Sequence, residues 1–148
     1  PGKNAWHSWQ RVAPVTGLFI LVGIVMAISG MATYLAHTLA EGGRVYLGIG
    51  PFVGAVSGFI TGSTSGANAM LATTQAEIAR ALHVDVLAFL SIHNVAAAFL
   101  LMASPSKVEL AVQLAPQGAQ QELRWVQVSV LAVGVVVVSG LAVCGLLL

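Results

Sequence analysis

Gly50-Pro-Phe-Val-Gly-Ala-Val-Ser-Gly-Phe-Ile-Thr-Gly-Ser-Thr-Ser-Gly-Ala-Asn68 sets five glycines four residues apart, at Gly50, Gly54, Gly58, Gly62 and Gly66, and turns from apolar to hydroxyl-rich at Thr61. On a helix that spacing leaves one stripe without side chains, so a second backbone can come close. An apolar, small-faced segment that becomes polar partway through predicts backbone that enters a membrane and turns back. Such backbone is tolerated only where it is buried in protein or lines a wet cavity. The simpler alternative is a packing stripe followed by an ordinary loop.

The rest of the chain is consistent with a lipid setting. Of 148 residues, 57% are hydrophobic and 7% charged, against roughly 25% charged in soluble domains. The composition predicts an all-α integral membrane protein. The net charge is +1 and no basic cluster is present, so no nucleic-acid partner is expected. Cys144 is the sole cysteine, which excludes an intrachain disulfide. The chain has no paired carboxylates, no His/Cys ligand spacing and no glycine loop after a strand, so neither an enzyme nor a metal or cofactor site is expected.

Working outward from the glycine block, residues 13–40 predict a spanning helix. Pro14–Leu39 carries no ionisable group except His37 and would reach about 39 Å at the helical rise. Trp6, Trp9, Lys3 and Arg11 before it suit a headgroup boundary. Tyr46–Ile60 would reach only about 22 Å, short for a span, so residues 46–82 predict a re-entrant hairpin with Thr61–Asn68 as its tip. Two tilted spans are the alternative. Residues 84–115 predict a discontinuous helix: Pro105 lacks an N–H and clashes with the preceding turn, while Ser104 can cap a new helix with Pro105 at its first position. That helix could instead start outside the membrane. Residues 125–148 predict a last spanning helix, opened at the interface by Arg124-Trp125.

The glycine block, with Asn68 following it, resembles the Pro-x-x-Gly-x-x-Gly-x-Phe-x-Thr-Gly-Ser…Asn pattern of bacterial L-lactate permeases, and Gln75, Met102-Ala-Ser-Pro105 and Ala111 follow in the same order. The resemblance covers roughly residues 46–115. It implies one half of an inverted-repeat secondary carrier, the C-terminal repeat of a longer permease, multi-pass in a bacterial inner membrane. It also implies secondary active transport of a small monocarboxylate, lactate or glycolate, with a coupled proton. The missing N-terminal repeat or a second copy would complete the site. Ala96-Ala-Ala-Phe-Leu-Leu101 stands where the family is usually Gly-rich with a Lys nearby, so a carrier for another organic anion is an alternative. A membrane assembly or anchoring protein without a substrate is another.

The candidate substrate-binding residues are Thr61, Gly62, Ser63, Thr64, Ser65 and Asn68 at the tip and Ser104 and Ser106 at the break. A carboxylate needs hydroxyl, amide and free backbone N–H donors, and a half-helix N-terminus adds a favourable dipole. The same groups could only cap backbone in a packed hairpin. His93, an ionisable group at membrane depth, is the proton-coupling candidate; a hydrogen bond to a neighbouring helix is its bland alternative. Lys107 is the anion-pairing candidate, with pairing to Glu109 or Glu122, or snorkelling, as alternatives.

Overall fold

The computed structural model describes residues 28–114 and 120–148, with isolated positions between 10 and 26, and every regular element among them is α-helical. The helices are α1 (Met31–Ala40), α2 (Val45–Thr61), α3 (Thr64–Ala81), α4 (Val86–Leu101), α5 (Pro105–Leu114) and α6 (Gln120–Leu146). Among the described residues, α6 is the helix both long and apolar enough to cross a bilayer, over Arg124–Leu146. Helices α2 and α4 are apolar but shorter, about 25 Å each at the helical rise.

The first expected helix differs. A continuous element over 13–40 is interrupted at Ser29–Gly30, where Gly30 takes a left-handed φ of 74° and α1 starts afresh at Met31. An uninterrupted apolar run hides such a break, because hydropathy does not register a single glycine's backbone. Much of that run upstream of residue 28 lies outside the described residues. The last helix begins at Gln120, five residues before the expected boundary.

Side-chain absence decides the packing. Helices α2 and α4 run parallel, with Gly50 against Phe89, Gly54 against His93 and Gly58 against Ala97. A Cβ on Gly54 would sit 2.7 Å from the His93 carbonyl oxygen, and one on Gly58 would strike the Ala97 backbone. The stripe therefore brings backbone to backbone inside the chain. Pro51 lies within α2, where it removes the donor that the Leu47 carbonyl would otherwise receive. Gly145 of α6 lies against that carbonyl, and only a residue without a Cβ fits there. Gly134 of α6 packs on Leu100, so α6 runs antiparallel to the α2–α4 pair. One apolar cluster joins Ala36, Tyr46, Leu47, Ile78, Ala79 and Phe89; a second joins Ala55, Ala96 and Val138.

Two turns set the ends of this seam. Helix α2 stops at Gly62, whose φ of 61° is left-handed and whose N–H donates to Gly58 O at 2.8 Å. Ser63 is extended, and its hydroxyl accepts from the Gly66 N–H, capping α3. At the other break, Ser104 O accepts from the Lys107 and Val108 N–H groups, so α5 starts at Pro105. Asp85 caps α4 by accepting from the Ala88 N–H at 2.6 Å.

Candidate functional site

Because α2 and α4 run in parallel register, their ends lie side by side, and the hairpin turn meets the helix break. Gly62 touches Ser106: a Cβ there would collide with the Ser106 hydroxyl and lie 3.2 Å from that of Ser104. The Ser104 and Ser106 hydroxyls are 3.2 Å apart. Ser104 is fully buried, whereas Ser65 and Ser106 are exposed and Thr64 is half-buried. Gln127 of α6 donates to Ala103 O at 3.3 Å and holds the break from behind.

The expected tip residues divide into two groups. Thr61 and Ser63 shape the turn. Thr61 Oγ1 lies 2.8 Å from both Ser57 O and Ser63 O and accepts from the Ser63 N–H, while the Ser63 hydroxyl is taken by Gly66. Thr64, Ser65 and Ser106 lie in the first turns of α3 and α5, where backbone N–H groups have no acceptor within their own helix. Each helix start carries a partial positive charge of roughly half a unit. The stretches Thr61–Asn68 and Ala103–Lys107 contain no carboxylate, and Lys107 is exposed in the first turn of α5. The arrangement is electropositive and rich in donors, which suits a small anion.

Asn68 stands one turn into α3, and its Nδ2 donates to Asn94 Oδ1 of α4 at 2.9 Å. Asn94 is a neighbour that sequence reasoning did not place in the site; its one signal was a polar residue beside His93 in an apolar helix. Gln127 was likewise missed, since nothing local links it to the break.

His93 is not at this junction. It lies eleven positions before Ser104, about 16 Å away along a helix, and is buried in the α2–α4 seam where Gly54 leaves room for its ring. Neither ring nitrogen has a hydrogen-bond partner among the described residues. Of the alternatives for Lys107, the Glu109 side chain lies outside the described residues; the ion pair among those described is Glu77–Arg80.

A family model described as L-lactate permease matches residues 8–143. Two curated relatives, both L-lactate permeases, from Escherichia coli strain K12 and Escherichia coli O6:H1, are each 28% identical over 95 residues. That alignment covers 64% of this chain and 17% of each relative, so the chain spans a minor part of the proteins it matches. No solved structure matches.

Proposed function

Because the chain belongs to the L-lactate permease family, and its members are integral membrane proteins, we propose that it forms one half of the substrate site of a secondary carrier for a small monocarboxylate, lactate or glycolate. The observation that carries this reading is the contact of Gly62 with Ser104 and Ser106, which joins the N-terminal ends of α3 and α5.

In this reading the carboxylate sits between the two helix starts. The free first-turn N–H groups and the Thr64, Ser65 and Ser106 hydroxyls donate to it, and Lys107 raises the local anion concentration. Thr61, Gly62 and Ser63 hold the turn in shape, and Ser104 holds the break. Asn68 sets the distance between hairpin and α4. His93 carries the coupled proton at a second position in the same helix. Its two nitrogens, buried and without a partner among the described residues, are a costly arrangement that a purely structural role would not favour. The carrier is multi-pass in a bacterial inner membrane, with 46–82 a re-entrant hairpin. The other half of the site comes from the N-terminal repeat of the longer protein or from a second copy.

The assembly or anchoring alternative assigns the glycine stripe to helix packing alone, which the contacts of Gly50, Gly54 and Gly58 with α4 also fit; it differs from the carrier reading in leaving the tip and break hydroxyls without a role. Uptake of labelled lactate by the full-length protein tests the carrier. Ser65→Ala with Ser106→Ala is expected to cut uptake at least tenfold at unchanged membrane abundance. Unchanged uptake would sink the site.

A further inference from the structure

The two arms of the hairpin are held very differently. Arm α2 is fixed along its length by glycine contacts on α4. Arm α3 is buried in its lower half, at Thr74, Gln75, Ala76, Ile78 and Ala79, where Tyr46 Oη donates to Gln75 Oε1 at 3.4 Å. Above that, Asn68–Ala72 are half-buried and Thr73 is exposed. An open apolar groove separates Met70 and Leu71 of α3 from Phe52, Val56 and Ile60 of α2. The middle of α3 thus lacks close packing on α2, whereas its start is packed, with Gly66 and Ala67 buried and Gly66 against Thr61. Between the two, one turn from the tip, the Asn68–Asn94 hydrogen bond ties α3 to α4.

We infer that the Asn68–Asn94 pair is a reversible latch on the upper half of α3, and that Asn94 is a positioning residue for the proposed anion site. The chemistry separates this bond from the other side-chain tether on α3. Opening Tyr46–Gln75 strands buried groups, and Gln75 Nε2 already lacks a partner among the described residues. Opening Asn68–Asn94 strands no group inside this chain, because Asn94 is exposed at its surface and Asn68 is half-buried. Among the described residues each amide also keeps a free function, Oδ1 on Asn68 and Nδ2 on Asn94, with which to meet water or a ligand. Asn68 is four residues from Thr64, about 6 Å along the axis, so release of this bond moves the first turn of α3 relative to Ser104 and Ser106. The functional part of the inference rests on the anion-site reading; the latch itself does not.

The test uses the full-length protein in membranes, in a Cys144→Ala background with Ala67→Cys as reporter, since Ala67 is fully buried on α3. Asn94→Ala is expected to raise the maleimide labelling rate about threefold, the scale of one interhelical polar bond in a membrane. Asn94→Asp, which still accepts from Asn68, restores the parent rate, and Tyr46→Phe leaves it unchanged. A labelling rate that Asn94→Ala does not move, or that Asn94→Asp does not restore, overturns the latch. In the absence of the reporter, Asn94→Ala is expected to raise the KM for lactate by a similar factor with kcat unchanged. An unchanged KM in a protein that does transport lactate overturns the positioning role. Labelling that rises in a protein with no lactate uptake supports the latch and contradicts the carrier reading instead.

Discussion

The α2–α4 seam and the tip–break junction are built from the same residue type to opposite ends. Along the seam, glycines remove side chains so that the helices pack closely: Gly50 faces the Phe89 ring, Gly54 the His93 carbonyl and ring, and Gly58 the Ala97 backbone. At the junction, Gly62 supplies a left-handed turn and leaves space for two hydroxyls, which can rotate. A rigid register below places a mobile set of donors above. The contrast teaches that the stripe is the ruler for the site: parallel packing at 50/89, 54/93 and 58/97 delivers Gly62 to Ser104 and Ser106.

Substitutions on either side of this divide should differ in kind. The largest effect is expected from Gly58→Leu, because the obstacle is Ala97 backbone and cannot move aside. A loss of about 3 kcal/mol or more should appear as failure to recover folded protein after detergent extraction. A well-folded Gly58→Leu protein would break the comparison on the seam side. Gly62→Ala comes next. Its left-handed φ of 61° adds roughly 1–2 kcal/mol for a residue with a Cβ, and the Ser106 hydroxyl must turn away. The protein should remain folded, with a lower melting temperature, and lose most lactate uptake.

Ser63→Ala removes the cap on α3 and should lower stability by about 1 kcal/mol, read from thermal denaturation in detergent. His93→Leu should leave stability unchanged or raise it, since it removes two buried nitrogens without a partner among the described residues and an apolar group of similar volume offsets them. Under the proton-coupling proposal the same variant should leave lactate exchange intact and abolish accumulation driven by a proton gradient. The smallest effect belongs to Gly140→Ala on α6, where an added Cβ meets nothing within 4 Å; stability should hold within about 0.5 kcal/mol.

Local chemistry made much of this molecule legible. Gly62-Ser63 and Ser104-Pro105 speak through their own backbones, by positive φ, a side-chain cap and a missing N–H; a helix starts at Pro105, and the expected Thr61–Asn68 tip narrows to Gly62-Ser63, with Thr64 already helical. The stripe declared which face of α2 would be bare. It could not declare the partner, because Phe89, His93 and Ala97 repeat every four residues no more conspicuously than other positions in an apolar helix. The sequence put His93 some ten residues before the break but could not show that Gly54 makes room for its ring. Asn94 and Gln127 were missed for a related reason: each acts through one contact with a residue far along the chain. Gly30 is a different failure. Its left-handed break was written as a single glycine inside a run whose hydropathy drew attention away from it.

The claim on which the rest depends is that the helix starts at Thr64 and Pro105 hold one anion between them. Thiol labelling of Ser106→Cys, in a Cys144→Ala background of the full-length protein, addresses it most directly. Lactate is expected to slow labelling in membranes, and adding Gly62→Ala is expected to remove the protection. Labelling indifferent to lactate, in a variant that still takes lactate up, would contradict it.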